Sequence, residues 1–193
     1  MSDYKKTYLK PLKRREEEKT NYVKRLALVK SGQARLVVRR TLNAIDIQFI
    51  AYYPDGDKVI AAAKSIQLEK FGWPLHKGNT PAAYLTGLLC AKRAQKKGVT
   101  EAVLDIGLVT PVHGSVVFAA LKGAVDAGIK IPHSADAFPN QDRISGKHIS
   151  TYAASLNPEE LKKRFSKCIE KGADPRKAEE YFNKAVSQIA KEQ

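Results

Sequence analysis

The segment from residue 34 to residue 65 restricts the fold more than any other part of the chain. It contains three predicted strands, "ARLVVRR" (34–40), "AIDIQFIAYY" (44–53) and "KVIAAAKS" (58–65). In the second, Ile45, Ile47 and Phe49 alternate with other residues, a pattern typical of a half-buried strand. The sequence "PDGD" (54–57) between the second and third runs contains an Asp-Gly turn, which favours a tight hairpin. The segment therefore predicts an antiparallel meander of three strands.

The first predicted strand carries arginines on one face. Because side chains alternate along a strand, Arg35, Val37 and Arg39 share one side, and Arg40 lies on the other. Two guanidinium groups on one face have two interpretations at this point, a solvated surface or a contact with RNA.

After the meander, helices and a strand alternate. A helix is predicted in "KGNTPAAYLTGLLCAKRAQKKG" (77–98), with Asn79 or the next residue as its N-cap and Gly98 at its end. A buried strand, "EAVLDIGL" (101–108), and a second helix, "GSVVFAALKGAVDAG" (114–128), follow. This order predicts an α/β fold in which a mixed sheet, built from the antiparallel meander plus strand-helix units, carries helices on its face.

The last third of the chain predicts a long polar loop at residues 132–147 and two helices, 158–171 and 175–191, each begun by an Asx-Pro pair. We expect these two helices to form an appended hairpin. The predicted organisation is an extended basic RNA-binding arm (residues 1–19), an α/β core (20–149) and a C-terminal helical extension (150–193).

The charge of the chain is high and uneven. Thirty-four Lys and Arg against twenty Asp and Glu give a net charge of +14, and residues 1–40 hold thirteen bases and four acids, a net of +9. A field concentrated at one end of a chain indicates a polyanionic partner, either nucleic acid or an acidic membrane. The large apolar residues among the first nineteen are few, which disfavours an amphipathic membrane segment; they are Tyr4, Tyr8, Leu9 and Leu12. No run of eighteen apolar residues occurs, so we expect a cytosolic protein that binds nucleic acid and no membrane.

The first nineteen residues have the composition of an RNA-binding arm. Lysines alternate with tyrosines there, and Pro11 interrupts any helix. Such a segment can follow phosphates while its aromatic rings stack on bases. A helix is predicted from Thr20, its N-cap, to Gly32. The carboxylates of residues 16–18 have two interpretations. They lie just before the positive N-terminal end of that helix, where negative charge is favoured, or they fix the directions of Arg14, Arg15 or Lys19.

The sequence shows no convincing catalytic centre. Asp105, at the end of the strand in "LDIG", is compatible with a metal-dependent nuclease on a ribonuclease-H-like fold, which is the enzymatic alternative. Such a site needs several carboxylates, and no spacing brings the other aspartates to Asp105, so we expect Asp105 to act as a hydrogen-bond acceptor. The four histidines lack zinc spacing, and Cys90 and Cys168 are expected to be buried reduced thiols. We therefore predict no enzyme, no metal and no cofactor.

Six motifs in consistent order, from about residue 12 to residue 150, resemble a known family. They are "RREEEKTNY" followed by "RL", "RLVVRRT", "GNTPAAYLTGLL", "AVLDIGL", "GSVVFAALKGAVDAG" and "IPH". Together they resemble the archaeal branch of the universal 5S-rRNA-binding large-subunit ribosomal protein family L-eighteen. The chain departs from that family at two positions, where Glu18 stands for the usual Gly and Asn21 for the usual Asp.

The resemblance implies a structural role in translation. It implies binding to 5S rRNA and attachment of that RNA to 23S rRNA in the central protuberance of the large ribosomal subunit, beside neighbouring ribosomal proteins. A third possibility is an adaptor that uses residues 158–191 to bind another protein. In the resemblance, residues 13–15 and 19–22 match the family's RNA-contact segment. With the basic residues around that segment, the expected RNA-binding residues are Lys5, Lys6, Tyr8, Lys10, Lys13, Arg14, Arg15, Lys19, Thr20, Asn21, Tyr22, Arg25, Arg35, Arg39 and Arg40.

Overall fold

The computed structural model describes residues 10–192; the predicted contacts Lys5, Lys6 and Tyr8 lie outside the described residues. The strands of the described part are Ala34–Arg40 (β1), Ile45–Ala51 (β2), Lys58–Lys64 (β3) and Ala102–Asp105 (β4). Its α-helices are Lys13–Glu16 (α1), Tyr22–Lys30 (α2), Thr80–Gln95 (α3), Val116–Asp126 (α4), Gln141–Ser145 (α5), Lys147–Ser155 (α6), Pro158–Arg164 (α7), Ser166–Glu170 (α8) and Ala178–Ala190 (α9). Short 3₁₀ segments occur at Ser65–Phe71, Ala135–Ala137 and Pro175–Lys177.

The sheet has the strand order β3-β2-β1-β4. β1 pairs antiparallel with β2, and β2 with β3, so the predicted meander is confirmed. β4 pairs parallel with β1, because the chain crosses over through α3 before it returns to the sheet. The result is the mixed α/β sheet that the sequence predicts.

Helices α3 and α4 cover one face of the sheet and form the core with it. Leu36 and Phe49 are fully buried on this face. The two helices touch through their backbones: a Cβ placed at Gly87 would lie 2.1 Å from the carbonyl oxygen of Ala120, and one at Gly123 would lie 2.2 Å from that of Tyr84. Only glycine allows this approach, so α3 and α4 form a fixed platform under the sheet.

The predicted helix and strand boundaries agree with the structure where local signals are strong. Asn79 caps α3, because its side chain accepts a hydrogen bond from the Ala82 N–H at 3.0 Å. The strand predicted at residues 101–108 ends early, at Asp105. Its carboxylate accepts the Gly107 N–H at 2.9 Å, and Gly107 has a φ of 68°, so the chain turns out of the sheet there.

The C-terminal region departs from the sequence prediction in three ways. Residues 132–147 contain a 3₁₀ segment and α5 within the predicted loop. The helix predicted at residues 158–171 is divided at Phe165 into α7 and α8. The appended hairpin is wrong for α9, which buries Phe182 and Ile189 against the core. An ion pair of 2.8 Å between Arg93 on α3 and Glu192 holds its end.

Two further features bear on function. Cys90 and Cys168 are free thiols, the first buried and the second partly buried. Within residues 10–192 no helix is long and apolar enough to cross a bilayer.

Candidate RNA interface

Helix α2 lies beside the face of the sheet that α3 and α4 leave open, and a groove of about 740 Å³ separates helix and sheet. We call it the basic groove. Six basic residues line it, against two acidic ones, Asp57 and Asp105. The basic residues are Arg14, Lys19, Lys24, Arg25, Arg35 and Arg39. The excess of positive charge makes this concave surface suited to an anion.

Asp105 organises the floor of the groove. It stands opposite Val37 in the β1–β4 register, between Arg35 and Arg39 on the same face of β1. One carboxylate oxygen accepts from Arg35 at 3.2 Å and the other from Arg39 at 2.9 Å. The prediction that Asp105 is a hydrogen-bond acceptor is therefore confirmed.

The same contacts weaken the nuclease alternative. Both oxygens of Asp105 are engaged by guanidinium groups. No group of three or more His, Cys, Asp or Glu residues in the described part of the chain could hold a metal ion. The fold does bring Asp57 to the same guanidinium as Asp105, which the sequence spacing did not predict, but Asp105 is paired with Arg35 and Arg39 and has a structural task.

Asp57, in the turn between β2 and β3, connects the sheet to α2. Its Oδ2 atom accepts from Arg35 at 2.7 Å and from Arg25 of α2 at 2.9 Å. No residue of α2 is buried, so apolar packing does little to hold this helix. The Arg25–Asp57 pair, itself anchored on Arg35, is an ionic contact that joins the helix to the sheet.

Arg35 requires a correction to the predicted interface. Only 3% of its side chain is exposed, and its two terminal nitrogens are engaged by Asp57 and Asp105. An arginine in this position has no free guanidinium surface for a phosphate, so we assign it to the internal ion network. Its Nε is buried without a hydrogen-bond partner in the described part of the chain.

Arg39 differs from Arg35 in exposure. Its side chain is 46% exposed while one terminal nitrogen remains on Asp105 and the other donates to the Asp105 and Val38 carbonyls. Its guanidinium carbon lies 3.0 Å from the position that a Cβ on Gly107 would occupy, so glycine leaves room for it. The group is therefore held in one direction and still accessible from the groove.

The segment before α2 forms a compact turn. Residues 13–16 are helical, where the sequence predicted an extended arm. The Arg14 carbonyl accepts the N–H groups of Lys19 and Thr20 at 2.9 and 3.2 Å, and the Arg14 Nε donates to the Thr20 hydroxyl at 2.9 Å. These contacts close the turn and place the Arg14 guanidinium at the edge of the basic groove.

Two residues at which the sequence departs from the resembled family have definite places in this turn. Glu18 has a φ of 51°, the left-handed region that glycine favours. Asn21 is the N-cap of α2 and accepts the N–H groups of Val23 and Lys24, both at 3.1 Å. The predicted cap at Thr20 is wrong, because Asn21 lies directly before the first helical residue and is the stronger capping residue.

Of the two interpretations of the carboxylates at residues 16–18, the structure favours the one in which they fix basic side chains. Glu17 pairs with Lys19 at 2.8 Å, and Glu16 lies 3.8 Å from Lys10. Both pairs are exposed, so each contributes little to stability.

The other predicted contacts divide into two groups. Exposed or half-buried on or beside the groove and the turn are Lys10, Lys13, Arg14, Arg15, Lys19, Thr20, Asn21, Tyr22 and Arg25. Arg40 is separate, because it occupies the opposite face of β1, and its charge acts on His76 instead.

The sequence prediction omitted Lys24 and two exposed aromatics at the end of β2 that are not among the lining residues of the groove. Lys24 lines the groove, and Tyr52 and Tyr53 are 51% and 45% exposed at the end of β2. The ammonium of Lys58 lies 4.4 Å from the centre of the Tyr53 ring, which orients that ring. Two adjacent exposed aromatics before an Asp-Gly turn are a signal that could have identified this site.

Comparison with known proteins identifies similar chains. A family model described as "Ribosomal large subunit proteins 60S L5, and 50S L18" matches residues 6–101 and 95–134. The chain is 50% identical over 184 residues to the large ribosomal subunit protein uL18 of Korarchaeum cryptofilum, covering 95% of this chain and 94% of that one. It is 49% identical over 185 residues to the uL18 protein of Methanothermobacter thermautotrophicus, covering 96% of each. A similar protein of Thermofilum pendens is 50% identical over 185 residues, covering 94% of each chain.

Proposed function

This chain belongs to the family of large-subunit ribosomal proteins 60S L5 and 50S L18, and on that premise we propose that its basic groove binds 5S rRNA. The family is structural, so the chain is a non-enzymatic constituent of the large ribosomal subunit. In the proposed complex it attaches 5S rRNA to 23S rRNA in the central protuberance, beside neighbouring ribosomal proteins. Residues 1–19 serve as the basic arm that extends the contact.

The observation that carries the proposal is the fixed direction of the guanidinium groups around an open groove. Asp57 holds Arg25, and Asp105 holds Arg39, so these cations are oriented before any RNA arrives. Preorganised side chains lose less conformational entropy on binding than free ones. Phosphate neutralisation by such groups supplies a large share of the affinity of a protein for nucleic acid.

Further exposed basic residues extend the surface beyond the groove. Lys13 and Arg15 lie on α1, the one-turn helix before it. Tyr52 and Tyr53 stand beside the turn that contains Asp57, where their rings are available to unpaired bases. The proposed contact therefore combines backbone phosphates along α1 and α2 with base stacking at the β2–β3 turn.

The test compares binding of fluorescently labelled 5S rRNA to the purified chain and to two variants. Arg39→Gln removes an oriented groove cation, whereas Lys130→Gln removes a cation that is 82% exposed and lies outside the groove. We expect the affinity to fall about tenfold to a hundredfold for Arg39→Gln, since one charged hydrogen bond contributes about 1.5–3 kcal/mol, and to stay unchanged for Lys130→Gln. Equal affinity of the Arg39 variant and the parent chain would refute the groove as the RNA site.

A further inference from the structure

A second cavity lies between the start of α3, helix α6 and the α7–α8 segment. Its volume is about 520 Å³, within the range of small-ligand sites. We call it the C-terminal cavity. It shares no lining residue with the basic groove, and neither the family match nor the predicted interface accounts for it.

The lining of the C-terminal cavity is cationic. Arg164 and Lys167 are its cations, His76 and His148 add imidazole rings, and no carboxylate is among its described lining residues. Burial, with the nearby charges of Arg40 and Lys167, lowers the pKa of His76. The N-cap of α3, a helix of sixteen residues, also lines it, so the positive end of that helix adds to the field.

The rest of the lining is apolar and aromatic. The rings of Tyr152 and Phe165 lie 6.3 Å apart at an angle of 54°, and the Arg164 guanidinium lies 5.8 Å from the Tyr152 ring. Leu75, which is 4% exposed, closes the inner side. Tyr152 is 42% exposed, so one ring borders the cavity and remains open to an incoming group. A flat apolar ligand bearing negative charge fits this combination.

We propose that the C-terminal cavity binds one unstacked nucleotide of ribosomal RNA, its base against Tyr152 and its phosphate beside Lys167 and His76. A nucleotide joins the two features that the lining selects, a planar ring and an anion, and exposed bases of RNA loops stack on aromatic side chains in this manner. The basic groove and the C-terminal cavity are separate surfaces, so one chain would engage two RNA segments. The inference does not depend on the basic groove, because the two sites have separate residues.

Cys168 provides a site-specific measurement. It lines the cavity and is partly buried, whereas Cys90 is fully buried; burial raises the pKa of Cys90 to about 12. In the folded chain a thiol reagent therefore modifies Cys168 first. The experiment follows the rate of this modification with increasing adenosine 5′-monophosphate, and in parallel with adenosine and with inorganic phosphate at equal ionic strength.

We expect the monophosphate to slow the modification saturably, and adenosine and phosphate each to slow it less. Tyr152→Ala should raise the concentration of monophosphate needed for half-maximal protection about tenfold, a loss of about 1.4 kcal/mol in binding free energy. Tyr152→Phe keeps the ring and should keep the protection. Lys167→Gln should weaken protection by phosphate and monophosphate alike. Lys130→Gln, which removes an exposed cation outside both the basic groove and the C-terminal cavity, is the matched control and should change nothing. For each variant, the rate of Cys168 modification with ligand is compared with its rate without ligand.

Three results would overturn the proposal. The first is no protection of Cys168 by the monophosphate at any concentration. The second is equal protection by phosphate alone, which would make the cavity a simple anion site. The third is stronger protection by a short acidic peptide, which would indicate a protein partner at this surface.

Discussion

Arg25 on α2 and Asp57 in the β2–β3 turn form a 2.9 Å ion pair that joins a helix without buried residues to the sheet. Asp57 also holds the buried Arg35 at 2.7 Å. One carboxylate therefore pairs with two arginines that differ in burial. This difference determines how much folding stability is lost when a member of the network is replaced.

We expect Asp57→Asn to destabilise the fold more than Arg25→Gln. The first change leaves Arg35 with a missing charged partner in a buried position, which costs about 1–3 kcal/mol. The second breaks only the outer, partly exposed half of the network, which costs about 1 kcal/mol or less. Urea unfolding of both variants measures the difference, and equal losses would contradict the network described above. Both variants should bind 5S rRNA more weakly, because α2 loses its orientation.

The salt dependence of RNA binding tests how many phosphates are neutralised. If about six to ten phosphates are contacted, log affinity should fall linearly with log salt, with a slope of about −0.7 to −0.9 per phosphate. Replacing Arg14 and Arg15 together by Ala should flatten the slope by about one to two units. Lys130→Gln should leave it unchanged. An affinity that does not respond to salt would contradict an electrostatic interface.

The division into arm and core remains a prediction, and a shortened chain can test it. A variant that begins at Thr20 lacks much of the basic segment but keeps the sheet, α3 and α4. We expect its thermal unfolding midpoint to stay close to that of the full chain, because α1 buries no residue. Its affinity for 5S rRNA should fall sharply. A large drop in the unfolding midpoint would show that residues 1–19 belong to the core.

The sequence allowed the sheet to be predicted, because it depends on local signals, whereas the RNA-binding role of the N-terminal segment stays a prediction. Alternation identified β2, apolar runs beside it identified β1 and β3, and the capping pattern identified α3. The burial of Arg35 could not be predicted from local signals, since its partners Asp57 and Asp105 lie 22 and 70 positions away in sequence. The packing of α9 on the core depends in the same way on tertiary contacts. Its amphipathic pattern shows that one face is buried but not which element it packs against.

Acid should weaken the connection between Glu69 and the C-terminal helices. Hydrogen bonds from Lys77 and Lys171 lower the pKa of Glu69 below its ordinary value of 4.5. A depressed carboxyl pKa contributes stability above the pKa of the unfolded chain, and this contribution is lost as the pH falls through the folded value. Urea unfolding at pH 7 and at pH 3–4 should therefore show a smaller loss for Glu69→Gln than for the parent chain. The same loss in both would contradict this role for Glu69, and Glu170→Gln on α8 is the control, since no ion pair is found for Glu170 in the described part.

Glu18→Gly should stabilise the turn before α2. Glu18 has a φ of 51°, a conformation that costs an ordinary residue about 1–2 kcal/mol and glycine much less. The gain is partly offset by the greater freedom of glycine in the unfolded chain, which leaves about 1 kcal/mol or less. Hydrogen exchange of the Lys19 amide, which donates to the Arg14 carbonyl, reports this turn directly and should become slower.

The neighbouring Glu17 is the matched control for that change, because its φ is −78°. Glu17→Gly relieves no strain, removes the 2.8 Å pair with Lys19 and should make the same amide exchange faster. Both substitutions remove one negative charge beside the basic groove, so a general electrostatic effect on RNA affinity would be equal in the two variants. We expect only Glu18→Gly to combine slower exchange of the Lys19 amide with tighter binding of 5S rRNA, because only this change favours the left-handed backbone at residue 18. Faster exchange in both variants would refute the strain at Glu18.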